Sequence, residues 1–164
     1  MLRAVADIGS NTVKYGIYDY CGDDSLPRRV KFDSRTLKLI GRIKNGILSG
    51  GDIKLLCDLL VEYKTSATEA GAVSFDIFAT ACIRAAANSR EICTEIEKAT
   101  GTAVVLLDGR EEARLSHLAL YAEVRPEGDG ICIDMGGGST EVVRFHKDEV
   151  TNCKSLPLGC VLLT

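Results

Sequence analysis

The sequence predicts an α/β fold: a mixed sheet in the order βββαβαβα, followed by the first strands of a second copy of the same unit. Three observations predict it. The hydrophobic period is two residues at the start and changes to three and four further on. Strands and helices then alternate, the order that right-handed crossovers give to a sheet covered by helices. The opening pattern of strand, turn, strand, turn, strand also returns after residue 125, with "DMGGGST" where "DIGSNT" stood.

Taken in order, "LRAVADI" (2–8) and "TVKYGIYDY" (12–20) read as strands joined by a tight turn at "DIGSN". "RRVKFDSRTLKLI" (28–40) alternates and predicts a third strand, and "GRIKNGILSGG" (41–51) has no period and predicts a loop. Ile53, Leu56, Leu59, Leu60, Tyr63, Ala67 and Ala70 fall at helical steps, so an amphipathic helix stops before Gly71. "AVSFDIFAT" (72–80) is a strand. "NSRE" (88–91) predicts a capping box, with Asn88 as N-cap and Glu91 as its partner, and a helix ending at Gly101. "AVVLL" (103–107) is wholly apolar and predicts a buried parallel strand. "DGRE" (108–111) is a second capping box, opening a helix to residue 123. The repeat supplies strands at 131–135, 140–146 and 150–156. The expected domains are 1–125 and 126–164. The second needs a covering layer, since a few antiparallel strands build no core alone. It leans on the first domain, pairs with another chain as in a homodimer, or belongs to a longer protein.

Composition fits a soluble globular chain: 46% of the 164 residues are hydrophobic and 26% charged, which argues against disorder. The net charge of −3 gives no bulk attraction to nucleic acid or an anionic membrane. No apolar run approaches the ~20 residues of a membrane span. The first residues contain no apolar signal segment. The seven cysteines are odd in number and never spaced C-x-x-C, so they read as free thiols of a cytoplasmic protein. The two histidines, His117 and His146, lie far from any cysteine pair and are assigned no role.

The glycine turns carry the chemistry. A strand that ends in Asp and runs into a Gly-rich turn can aim several backbone N–H groups at one point, an anion-binding concavity. Glycine lets that backbone approach phosphate oxygens without a Cβ in the way. Ser10, Asn11 and Thr12 in the first turn, and Gly136, Gly137, Gly138, Ser139 and Thr140 in the second, are the candidate phosphate ligands. Asp7 and Asp134 are candidate supports for Mg²⁺, which binds through one or two carboxylates and keeps several waters. Two such turns from duplicated domains are expected to grip a phosphate chain from both sides. The sequence holds neither a G-x-x-x-x-G-K-[ST] P-loop nor a G-x-G-x-x-G opening a helix.

Duplicated units with Asp–Gly phosphate turns resemble the actin and sugar-kinase superfamily, whose fold is RNase H-like. Within it, "DIGSNT", "ATACIRAAAN", "DGREEARL" and "DMGGGSTE" together resemble the exopolyphosphatase and guanosine pentaphosphate phosphohydrolase family, across the N-terminal half of a typical member. The resemblance implies hydrolysis of a terminal phosphoanhydride of inorganic polyphosphate or guanosine pentaphosphate. It implies that Glu112, the second Glu of "EEA", is the general base, that Arg84 binds substrate phosphate, and that Glu141 helps place the metal or water. Glu111 is explained by the cap alone, and Glu112 also suits a helix N-terminus. Lys14 departs from the apolar residue or His usual at its position. Seven cations between Arg28 and Lys44 face a single Asp33, which reads either as a lane for a polyanion or as a guarded edge strand. Two other readings remain: an ATP-dependent kinase of the same superfamily, and a non-catalytic half that binds polyphosphate or nucleotide.

Overall fold

The computed structural model describes residues 1–20 and 26–163. Cys21, one of the expected free thiols, lies outside the described residues; the other six cysteines are free. The chain divides into two compact units, Met1–Leu106 and Leu107–Thr164.

In the first unit, strands β1 (Leu2–Ile8), β2 (Thr12–Asp19), β3 (Arg28–Thr36), β4 (Ser74–Ala79) and β5 (Val104–Leu106) form one sheet in the order β3-β2-β1-β4-β5. β1–β2 and β2–β3 are antiparallel, while β1–β4 and β4–β5 are parallel, as the change of period predicts. Helices α1 (Leu39–Arg42), α2 (Gly50–Glu69), α3 (Ala81–Ala85) and α4 (Ser89–Thr100) complete it. The core joins Ala4, Ala6 and Ile8 of β1, and Val13, Tyr15 and Ile17 of β2, to the apolar stripe of α2. Tyr15 and Tyr63 stack inside it, ring centroids 4.5 Å apart.

Several expectations are corrected. The third strand ends at Thr36, and the loop after it contains α1 and a tight turn closed by Lys44 and Ile47. α2 starts earlier than its apolar stripe because the Ser49 hydroxyl accepts the Asp52 N–H, 3.2 Å. Asn88 does stand at the N-cap of α4 but makes no capping box. Its amide accepts the Leu48 N–H at 3.1 Å and donates to the Leu48 carbonyl at 3.0 Å, so it ties the 46–48 turn to α4. β5 is a sheet edge and leaves Val105 and Leu106 exposed rather than buried.

The basic segment lies on the edge strand β3 and just beyond it, and much of its charge is engaged. Arg35 pairs with Asp33 at 3.0 Å and Glu62 at 3.2 Å, Arg42 pairs with Asp52 at 2.7 Å, and Lys31 donates to Ser66 at 2.6 Å. This fits the guarded edge.

The second unit contains α5 (Gly109–Val124) and a three-stranded antiparallel sheet, β6 (Asp129–Met135), β7 (Thr140–His146) and β8 (Glu149–Leu156). The Asp108 capping box forms as its spacing predicts: Asp108 accepts the Arg110 and Glu111 N–H groups, each at 2.8 Å, and Glu111 accepts the Asp108 N–H at 2.9 Å. α5 packs on this sheet and falls in the same compact unit. Ala113 and His117 supply the covering layer, with the His117 ring stacked 4.7 Å from Phe145. Both ring nitrogens of His117 lack a partner among the described residues, so the imidazole serves here as a flat core side chain.

Candidate functional site

The two glycine turns are the same backbone device. In the first unit Asp7 pairs with Lys14 and Ile8 with Val13, and the Gly9 N–H donates to the Thr12 carbonyl at 3.1 Å. In the second, Asp134 pairs with Glu141 and Met135 with Thr140, and the Gly136 N–H donates to the Ser139 carbonyl at 2.9 Å. A four-residue turn therefore follows each Asp at the same offset. The third strands also correspond: Lys14 pairs with Ser34 and Glu141 with Ser155. Even the register shift recurs, between Ile17 and Tyr18 and between Arg144 and Phe145.

Each turn is held from behind by its carbonyls. The Ser10 carbonyl accepts the Ile40 N–H at 2.9 Å, and the Asn11 carbonyl accepts the Leu37 and Lys38 N–H groups at 3.0 and 2.8 Å. The Gly136 and Gly137 carbonyls accept the Cys160 and Val161 N–H groups at 2.9 and 3.1 Å. A trans peptide unit points its C=O and N–H in opposite directions. With the carbonyls turned back, the N–H groups of Asn11 in one turn and of Gly137 and Gly138 in the other point forward. Fixed N–H groups of this kind suit an anion.

Glycine is required at two places here. A Cβ on Gly9 would lie 2.8 Å from the Thr12 carbonyl oxygen. A Cβ on Gly159, which the motif reading missed, would lie 2.4 Å from the Gly137 carbonyl carbon and oxygen. Its signal in the sequence is only a small residue after "LPL", since the contact is made across the fold.

The remaining candidates distribute between the units. In the first, Asp7 is half-buried near the end of β1 and Ser10 is buried in its turn. Burial pushes the thiol of Cys82 on α3 up to about 11, with the Ser10 hydroxyl opposing the shift. Arg84 stands two residues further along the same short helix, half-buried. The Asn11 amide donates weakly to the Thr12 hydroxyl at 3.4 Å.

In the second unit, Glu112 is half-buried in the first turn of α5. Asp134, Glu141 and Ser155 form one row across β6, β7 and β8. Directly opposed residues share a face, and here it is the face that Val143 and Phe145 turn to α5. Glu141 is 2% exposed and accepts the Ser155 hydroxyl at 2.7 Å. Asp134 accepts the Ser116 hydroxyl at 2.5 Å. Ser139 and Thr140 are buried, and the Thr140 hydroxyl donates to the Leu158 carbonyl at 2.5 Å. Ser116 and Ser155 are further residues that sequence reasoning passed over. Among the described residues no three His, Cys, Asp or Glu side chains gather into a metal cluster.

A mixed sheet opening with two antiparallel pairings, together with a hairpin turn that is repeated in kind, defines an actin-like fold. MreB5 of Spiroplasma citri, solved bound to ADP, shares it with a TM-score of 0.51 at 14% identity over 96% of this chain and 52% of that chain. Within that class the chain belongs to the Ppx/GppA phosphatase family, whose model matches residues 23–164. The crystal structure of the Aquifex aeolicus Ppx/GppA family member superposes with a TM-score of 0.86 at 30% identity, covering 99% of this chain and 53% of that chain. Exopolyphosphatase 1 of Mycobacterium leprae is 33% identical over 170 residues, covering all of this chain and 49% of the relative. The chain thus spans about half the length of the curated relatives it matches.

Proposed function

We propose that this chain forms the phosphate-gripping part of a phosphohydrolase that removes the terminal phosphate of inorganic polyphosphate or guanosine pentaphosphate. The observation that carries the reading is the repeated turn, with its carbonyls pinned behind and its N–H groups forward. Phosphoryl transfer asks a protein mainly for positioning and charge neutralisation, and such N–H groups supply both. Arg84 adds a guanidinium suited to bidentate phosphate contact. Family membership and the Mycobacterium leprae exopolyphosphatase support the substrate class.

The donor chemistry fits Mg²⁺. Asp7 and Asp134 each precede a glycine turn by one residue, and carboxylate oxygen is the hard ligand that this ion takes, one or two at a time. A bound Mg²⁺ would neutralise phosphate charge and polarise the scissile bond. Glu112 takes the proton of the attacking water. General base catalysis of this kind is worth ~10²–10⁴-fold.

The test is phosphate release from long-chain polyphosphate and from guanosine pentaphosphate with Mg²⁺, for this chain and its Glu112→Ala variant. Release that falls by about 10²-fold or more in the variant is expected. Equal release from both sinks the assignment of Glu112. Transfer to a small-molecule acceptor without free phosphate would select a kinase, and binding without turnover a non-catalytic half.

A further inference from the structure

We infer that Ser116 is a positioning residue for the Asp134 carboxylate, fixing its orientation one helical turn from Glu112. The inference rests on the reading of Asp134 as a metal support. Ser116 follows Glu112 by four residues on α5, and positions i and i+4 are neighbours on one helix face. Its hydroxyl donates to Asp134 Oδ2 at 2.5 Å, a short bond to a charged acceptor that joins α5 to β6.

The rest of the row shows why the carboxylate needs holding. Asp134 is exposed and sits directly opposite Glu141. Like charges opposed across two strands repel. Among the described residues neither carboxylate has a cationic partner; their only hydrogen bonds come from serines, Ser116 for Asp134 and Ser155 for Glu141. The first unit has no such problem, because Lys14 stands opposite Asp7. Engaging Oδ2 stops the exposed Asp134 carboxylate from turning about its own axis. Oδ1, which accepts no hydrogen bond among the described residues, is then the oxygen presented to a cation. Ser155 holds Glu141 within the sheet, whereas Ser116 sets Asp134 relative to the helix that carries Glu112. That makes Ser116 the residue linking metal support to base.

Mn²⁺ binding to this chain, followed by calorimetry and by the electron spin resonance of the free ion, tests this without any need for turnover. Ser116→Ala should weaken Mn²⁺ affinity by about 10-fold, the usual cost of losing a residue that orients a metal ligand. Ser116→Thr keeps the hydroxyl and should bind as the unaltered chain does. Asp134→Asn should abolish binding. If Ser116→Ala lowers the melting temperature yet binds Mn²⁺ unchanged, the serine only pins helix to sheet and the inference is overturned. If Asp134→Asn, or the absence of any Mn²⁺ binding to the unaltered chain, shows that Asp134 holds no metal, the underlying reading fails. The two failures are told apart by which variant is silent.

Discussion

The hairpin β1–β2 and the hairpin β6–β7 share turn and register, and they differ in what surrounds them. Ala4, Ala6 and Ile8 are completely buried under α2. Their counterparts Ile131, Ile133 and Met135 are 67%, 64% and 53% exposed, although they are the larger set. α5 covers the opposite face of the second sheet, over Val143 and Phe145. The position after each first turn differs as well: Lys14 is exposed and Glu141 is buried. One backbone design thus tolerates opposite burial of its two faces. The turn is set by hydrogen bonds within its own hairpin and the segment behind it, not by the layer on either face.

The sharpest way to break the comparison is to truncate the same position in both copies. Ile8→Ala should cost about 2–5 kcal/mol, since it empties a filled core site. Met135→Ala, at the equivalent exposed position, should change stability by less than about 0.5 kcal/mol. Urea unfolding curves read both, and equal losses would mean that the two faces are packed alike.

Next in size is Gly159→Ala. Its Cβ would meet the Gly137 backbone at 2.4 Å, so the second turn must shift, at about 1–3 kcal/mol for overpacking. Gly136→Ala meets only the Ser139 carbonyl oxygen at 3.4 Å and should be milder. Thermal melting ranks the two, and the reverse order would refute the pinned-turn account.

A smaller effect is expected from Lys14→Glu, which gives the first hairpin the acidic pair of the second. Placing a carboxylate opposite Asp7 should destabilise by about 0.2–1 kcal/mol and less at high salt. A denaturation series in salt would show whether that repulsion exists.

A further effect depends on pH, through Cys82 of α3. Cys82 has its thiol raised to about 11 by burial. A group raised in the folded state gives stability that is complete below the unfolded value and is lost as pH rises through the folded one. Stability should therefore decline between about pH 9 and 11, and Cys82→Ala should flatten that decline. Thiol titration should also find exposed Cys160 reacting before Cys82.

Much of the fold was legible because it is written in local terms. The two-residue period of β1 and β2, the helical stripe of α2 and the Asp108 capping box each depend on residues a few positions apart. The Asn88 box has the same local spelling and fails, because Leu48, forty residues earlier, offers Asn88 two backbone partners at once. "AVVLL" reads as buried by its apolarity, yet β5 has a neighbour on one side only. The motif residues of the site were legible as well, but their supports were not. Ser116, Ser155 and Gly159 carry no motif and matter through contacts made across the sheet.

By itself, then, the sequence determined the order of the strands and long helices, the repeated hairpin and the identity of its turns, since period, caps and glycine are short-range properties. Only the tertiary structure decided which face of each copy is covered, which carbonyls are turned back, and which serine holds which carboxylate. Those outcomes depend on pairings between residues far apart in the chain, where the same local pattern can find different partners.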